Sequence, residues 1–384
     1  MIPYGKQSIN QEDIDAVINV LQSDFLTQGP VVPQFEKAFS DYVQSKFSIA
    51  VTNATSALHL ACLSLGIGKG DVVWTSPISF VSSSNCALYC GADVDFVDID
   101  PDTFNISEKT LRIKLAQAKQ KDQPIPKLVI VVHMAGQPCD MQAIAELAKE
   151  YGFKIIEDAS HAVGARYQSS PIGNCQYSDI CVFSFHPVKI ITTGEGGMLT
   201  TNNLHIYETA ALLRSHGITR EASKLNNTEA GSWYYEQQML GFNYRMTELQ
   251  GALGLSQLNR LDEFINQRKL IAQRYNEGLS HLPIVLPIQL ESTQSSWHLY
   301  IIKLEKSQHL RVFKELRDKG IQVNVHYIPI YKQPYYQSIG FDQNYCEHAE
   351  AYYQRAISLP IYPALTQAEQ DVVINELNGL LVGS

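Results

Sequence analysis

No apolar run in the 384 residues is long enough to cross a bilayer, and the opening MIPYGKQSINQEDIDAV has no basic stretch leading into an apolar one. A cytoplasmic protein with no membrane partner is the expectation. Long basic runs are also missing and the net charge is −9, which argues against a nucleic-acid partner. The seven cysteines include no CxxC pair, and Cys86 and Cys90 sit one helical turn apart in an apolar segment. That pattern points to free buried thiols in a reducing compartment, with no disulfide framework and no metal site. Internal repeats and low-complexity segments are absent. No GxGxxG follows the first strand, where NATSAL stands instead, so a dinucleotide-binding dehydrogenase is disfavoured.

Hydrophobic residues at 45% and charged residues at 18% exclude a disordered chain, and the length suits two domains. Residues 11–22 have helical spacing, with Ile14, Val17, Ile18 and Leu21 on one face after Asn10 as cap. From residue 48 to 201 short apolar runs alternate with helical patterns: SIAVT, VVWTSP, DVDFVDID, LVIVVHMAG, FKIIED and ICVFSF are strands. The alternation predicts an α/β fold with a mostly parallel sheet covered on both faces. Residues 221–232 are polar, with little periodicity, and are expected to be mobile. One long connecting helix is expected after residue 245. A smaller α+β unit follows, with strands in HLYIIKLE and IQVNVHY and a final helix near 367–381. The expected division is a large domain at 1–245 and a connecting helix with a small C-terminal domain at 246–384.

Ligands of such sheets gather at the carboxyl ends of the strands, and Asn53, Phe80, Asp158 and Ser184 all fall at or just past predicted strand ends. In residues 179–201, DICVFSFHPVKIITTGEGGMLTT, a buried strand leads to Lys189 on a glycine-rich backbone. A desolvated amine there can lose its proton and form a Schiff base. A pyridine cofactor that acts as an electron sink needs such an amine, and it needs a buried carboxylate for its ring nitrogen, which Asp158 offers. It also needs phosphate donors, available at Ala54 and Thr55 on a helix start and at Ser184, and an aromatic partner, available in Phe80. The set points to pyridoxal 5′-phosphate. His133 is expected to be a packed strand residue, and His186 is expected to line the site or to be structural.

LTQGP, NATSALHLA, SPISFVSSSN, EDASHAVGA, FSFHPVKIITTGEGG, RSHG, GFNYRMTELQGALGLSQL, VHYIPIY and SLPIYP, spread almost end to end, resemble the DegT/DnrJ/EryC1/StrS aminotransferases. The resemblance implies the fold type I, aspartate-aminotransferase-like architecture of pyridoxal-phosphate transferases. It implies Lys189 as the covalent anchor and proton carrier, Asp158 at the ring nitrogen and His161 near the phenolic oxygen. Phe80 would stack on the ring, and Ala54, Thr55 and Ser184 would hold the phosphate. Asn243 matches a residue that reaches the cofactor of a neighbouring subunit, which implies a homodimer with shared sites. His326 matches a residue near the sugar. Sugar dehydratases of similar sequence carry histidine where Lys189 stands, so transamination is implied. The implied substrates are L-glutamate and a UDP-linked 4-keto-6-deoxy-N-acetylhexose, aminated at C4. Arg245 and Arg214 are candidates for the donor carboxylate, with interface ion pairs as the other reading. Tyr331, among the tyrosines of 327–336, is a candidate lining of the nucleotide groove. A relative acting on another ketosugar and a non-catalytic cofactor-binding regulator are the competing readings.

Overall fold

The computed structural model describes residues 1–227 and 231–382. Nine strands organise the first part of the chain: β1 Phe47–Val51, β2 Val72–Thr75, β3 Asp93–Phe96, β4 Leu128–Val132, β5 Lys154–Asp158, β6 Arg166–Tyr167, β7 Ser170–Pro171, β8 Ile180–Ser184 and β9 Gly197–Thr201. Seven of them form one sheet in the order β1-β9-β8-β5-β4-β2-β3. Only β9 runs against its neighbours, pairing antiparallel with β1 and β8, while the remaining pairs are parallel. β4 and β8 are buried along their whole length, as strands covered on both faces must be. On one face Phe35 and Phe39 of helix Val31–Val43 pack with Leu111, Leu115, Ile144 and Leu147. On the other, Leu58 and Cys62 of helix Ala54–Ser64 pack with Cys86 and Ala210.

Helix Gln11–Leu21 forms where the spacing predicts, but its apolar face points outward: Ile14, Ile18 and Leu21 are 45%, 41% and 57% exposed. Its buried anchor is the carboxylate of Asp13. Asp13 completes the capping box with Asn10 and accepts from Ser256 Oγ at 2.6 Å and Gln257 Nε2 at 2.7 Å, with Arg260 as its ion-pair partner. The helix is therefore oriented by a polar network, which hydrophobic spacing cannot reveal.

The expected long connector is two helices, Glu248–Leu258 and Leu261–Leu279. At the break Arg260 leaves the helical path to reach Asp13 and the Ser8 carbonyl. Glu248 opens the first of them and caps another helix, its carboxylate accepting from Val31 N at 2.6 Å. In the last third, Tyr300–Lys303 pairs antiparallel with Ala356–Leu359, a partner the hydrophobic pattern did not single out. The expected strand at 321–327 makes only isolated bridges, at Ile321 with Ile2 and Asn324 with Ser358. Asn324, Val325, His326 and Tyr327 line a cavity shared with the large sheet's strand ends. A third core joins Ile2 to Tyr275, Tyr300, Leu316, Ile357 and Leu377. Among the described residues no helix is long and apolar enough to cross a membrane. Of the polar stretch 221–232, residues 228–230 lie outside the described residues.

Candidate active site

The carboxyl edge of the sheet carries a cavity of about 590 Å³. Its walls include Ala54, Thr55, Phe80, Asp158, His161, Ser184, Lys189 and His326, so eight of the expected site residues meet there, together with Asn53. Residues more than a hundred positions apart are brought together because β1, β2, β5 and β8 all end at this edge.

Asp158, the last residue of β5, is buried and its two oxygens are already held. Ser83 Oγ donates to Oδ2 at 2.6 Å, and Ser160 donates to Oδ1 from its hydroxyl at 2.6 Å and from its N–H at 3.1 Å. Ser79 Oγ lies 2.6 Å from Ser83 Oγ, extending the chain. Donors on both oxygens fix the plane of the carboxylate.

Helix Ala54–Ser64 begins at Asn53, whose side chain accepts from Ser56 N at 2.8 Å. The first helical N–H groups, those of Ala54 and Thr55, have no intrahelical acceptor and open into the cavity beside Ser184. β9 passes close enough to this turn that only glycine fits at its first position. A Cβ on Gly197 would lie 2.5 Å from Asn53 C and 2.6 Å from Ala54 N, both backbone atoms that cannot swing aside. Gly197→Ala is expected to displace the helix start, costing about 2 kcal/mol of stability and weakening phosphate binding. A thermal melt and a titration with pyridoxal phosphate check this.

Lys189 follows β8 at the base of the cavity, half-buried. Burial pushes its ammonium down to about 8, while Asp158 pulls the other way. Burial disfavours the charged form, so the free amine is populated at lower pH than for an exposed lysine. Attachment of pyridoxal phosphate to the apoprotein is therefore expected to accelerate as pH rises through about 8 and to level off above it. Stopped-flow absorbance across pH measures this; a rise centred above 10 would contradict it.

Three neutral imidazoles surround the amine. Burial first, then Lys189, pushes His326 down to about 4. Burial, Lys189 and His326 hold His161 well below its ordinary range, and burial followed by His161 and Lys189 does the same to His298. His326 accepts at Nε2 from Asn324 Nδ2 at 3.4 Å, which leaves its proton on Nδ1, 2.8 Å from Ser358 Oγ. His161 Nε2 lies 3.0 Å from the Tyr327 hydroxyl, and its ring centroid is 4.4 Å from that of His298. Nδ1 of His161 and Nδ1 of His298 are both buried without a partner. Phe80 is 59% exposed at the rim, 6.4 Å from the Tyr327 ring.

The remaining expected residues lie elsewhere. Asn243 is exposed, bridged to Ser215, and outside this chain's cavity. Arg245 donates to Ser215 Oγ at 2.9 Å, and Arg214 is tied to Glu36 at 2.5 Å and to the Ala50 carbonyl at 3.0 Å. Neither arginine lines the cavity. Tyr331 is corrected: it is wholly buried, its hydroxyl donating to Glu350 at 2.9 Å and to the Cys346 carbonyl at 3.2 Å, so no nucleotide can touch it. His133 is packed, its Nδ1 accepting from Cys139 N at 3.0 Å, which places the Nε2 proton toward Glu157 at 2.8 Å. His186 lines the cavity. Tyr327, from the expected tyrosine run, lines the cavity; Tyr4, Ser83, Ser160, His298 and Asn324 belong to the site or its support and were not expected.

The DegT/DnrJ/EryC1/StrS aminotransferase profile matches residues 7–378. The chain belongs to this family. Among its curated relatives is the spore coat polysaccharide biosynthesis protein SpsC of Bacillus subtilis, 37% identical over 100% of this chain and 98% of the relative. Another is the UDP-4-amino-4,6-dideoxy-N-acetyl-beta-L-altrosamine transaminase of Campylobacter jejuni serotype O:2, 35% identical over 99% and 98%. The solved PseC of Helicobacter pylori, an aminotransferase involved in pseudaminic acid biosynthesis, superposes with a TM-score of 0.91 at 29% identity over the full length of both chains. Spr1654 of Streptococcus pneumoniae, a putative sugar aminotransferase solved with its cofactor in the PLP and PMP forms, gives 0.89 and 0.90 at 29% and 30% identity, each covering 99% of this chain and 98% and 99% of the solved chain. As a DegT-family aminotransferase this protein is an enzyme of PLP fold type I, and its cofactor is pyridoxal 5′-phosphate. The cavity suits that cofactor: an amine, an oriented carboxylate and a helix start cleared by Gly197 stand around one space.

Proposed function

We propose that this DegT-family enzyme moves an amino group from L-glutamate to C4 of UDP-2-acetamido-2,6-dideoxy-β-L-arabino-hex-4-ulose, giving the 4-amino sugar used in pseudaminic acid synthesis. The observation that carries transamination is Lys189 beside Asp158 in one cavity at the sheet's carboxyl edge. The choice of sugar rests on likeness to the Campylobacter transaminase and to PseC. SpsC, at slightly higher identity, favours a second reading in which a different nucleotide-linked ketosugar is aminated.

Pyridoxal phosphate, when bound, supplies a carbonyl that exchanges with amines and a ring that stabilises the carbon losing its proton. Ala54, Thr55 and Ser184 would hold the phosphate, Phe80 would lie against the ring, and Asp158 would keep a proton on the ring nitrogen. Lys189 would anchor the cofactor covalently. Its Nζ, once free, would take the proton from the donor Cα and, in the return half, deliver one to C4 of the sugar. The neutral imidazoles of His161 and His326 line the site without adding positive charge beside Lys189.

The enzyme works as a cytoplasmic homodimer with shared sites and a large domain ending at residue 245. The exposed apolar row of Ile14, Ile18, Leu21, Phe25 and Leu26 supports a subunit contact, and the placement of Asn243 outside its own cavity supports a reach into the neighbour's. Seven unpaired thiols support a reducing compartment.

Purified yellow protein whose visible band disappears with L-glutamate, and which then aminates the UDP-linked 4-ketosugar by mass spectrometry, supports the proposal. Preference for another ketosugar in a panel selects the second reading. A yellow protein indifferent to glutamate removes the donor.

A further inference from the structure

The proposed transamination gives His298 no task, although it is buried and lines the cavity. The chain reaches it through a strained turn: Trp297 has φ 52°, left-handed backbone that only glycine adopts without cost. Arg268, on helix Leu261–Leu279, holds that turn. Its Nη1 donates to the carbonyls of Trp297 and His298 at 3.2 Å each and of Ile361 at 3.0 Å. The guanidinium is 1% exposed, its Nε is unpartnered, and these acceptors are backbone carbonyls, not a carboxylate. Burying a cation in this way is costly. What it secures is the backbone at Trp297 and His298.

Two further segments fix the same place. Ser296 Oγ donates to the His161 carbonyl at 2.7 Å, Ser296 N to the Gly136 carbonyl at 3.1 Å, and Leu299 N to the Ala135 carbonyl at 3.2 Å. The approach at Gly136 leaves no room for a side chain. A Cβ there would lie 2.4 Å from Ser296 Oγ, 3.0 Å from His161 O and 3.1 Å from His298 N. With both backbones set, the His298 ring lies against the His161 ring, centroids 4.4 Å apart and planes tilted by 43°. The Tyr327 hydroxyl, 3.0 Å from His161 Nε2, is the ring's other contact. Burial holds both imidazoles well below their ordinary range, so the two rings meet without charge repulsion.

We propose that His298 is a positioning residue: its ring, held by the Arg268 clamp, sets the orientation that His161 presents to pyridoxal phosphate. The inference rests on the reading that His161 faces the bound cofactor. His298 acts through ring contact and not through proton exchange, so a flat side chain of similar size can take its place.

The test compares His298→Ala, His298→Phe, His161→Ala and the double alanine variant with the parent, each saturated with pyridoxal phosphate. Visible circular dichroism reads how the bound cofactor is held, and stopped-flow mixing with L-glutamate reads the first half-reaction. His298→Ala is expected to lose visible dichroic amplitude and to slow that half-reaction about tenfold, a coupling ordinary for side chains in contact. His298→Phe restores a flat ring and should recover both. In the His161→Ala background the second substitution should change neither, because the ring it positions is gone. Parental dichroism and rate in His298→Ala, a phenylalanine variant as impaired as the alanine one, or additive losses in the double variant would each overturn the proposal. Should alanine unfold the chain, His298→Leu fills the volume without a flat ring and is judged by the same outcomes. A parent that binds no pyridoxal phosphate, or whose bound cofactor ignores glutamate, removes the proposed function and this proposal with it. A responsive parent with an indifferent His298→Ala removes this proposal alone.

Discussion

Lys189→Ala is expected to abolish multiple turnover, with kcat falling by roughly 10⁴-fold, the upper range for loss of a positioned proton carrier. The variant loses two things at once. Covalent attachment disappears, so the visible band of the purified protein shifts to that of non-covalently bound pyridoxal phosphate. Proton transfer at the donor Cα also loses its carrier. The buried imidazoles are poor substitutes: burial lowers the basicity of His161 and His298, which pack against each other, and His326 has both ring nitrogens committed to Asn324 and Ser358. Added small amines should restore part of the rate if the loss is one of proton transfer, since the cavity left by the side chain opens onto the same atoms. The measurement is single- and multiple-turnover amination followed by mass spectrometry. Full multiple turnover without added amine would show that another group moves the proton.

The parts of this site legible in the sequence are those whose chemistry is local to a strand end. Lys189 follows an apolar run on a glycine-rich backbone, Asp158 closes another run, and Asn53 begins a helix after a third. Each has a nearby pattern that marks its position at the sheet's carboxyl edge. What escaped depends on contacts between distant segments. His298 enters the cavity because the segment before it is clamped: Ser296 Oγ donates to the His161 carbonyl at 2.7 Å, and buried Arg268 donates to the His298 carbonyl at 3.2 Å. Nothing local in SSWHLYIIKL signals that. Tyr331 failed for the opposite reason. In a tyrosine-rich run only tertiary packing decides which rings face a ligand and which fill the core, and here Tyr327 faces the cavity while Tyr331 packs beside Phe96. The two-helix connector and the outward apolar face of Gln11–Leu21 share one cause. The buried Asp13 carboxylate gathers donors from both sides, and a polar network leaves no periodic signature.

Asp158→Asn is expected to lower kcat by between about 10² and 10⁴-fold, the factor equivalent to the roughly 3–5 kcal/mol lost when one partner of a buried charge pair is removed. The substitution keeps shape but not polarity. In the native chain both carboxylate oxygens accept, one from Ser83 and the other from the hydroxyl and N–H of Ser160. An amide has one accepting oxygen. The Ser160 side cannot reverse, because a backbone N–H donates only, so the amide oxygen is held there and the NH₂ faces Ser83. The Ser83 hydroxyl can turn to accept, since Ser79 Oγ stands 2.6 Å away to take its proton. The fold therefore tolerates the change, and on the proposed reading the loss would fall on the ring nitrogen, which would no longer meet an anion. Removing the anion also takes away the charge that raises the Lys189 pKa, so the pH at which apoprotein captures cofactor should move below about 8. Melting temperature near that of the parent, a lowered kcat and a lowered capture midpoint together identify Asp158 as the ring-nitrogen partner. A variant with unchanged kcat would place the cofactor's ring away from β5.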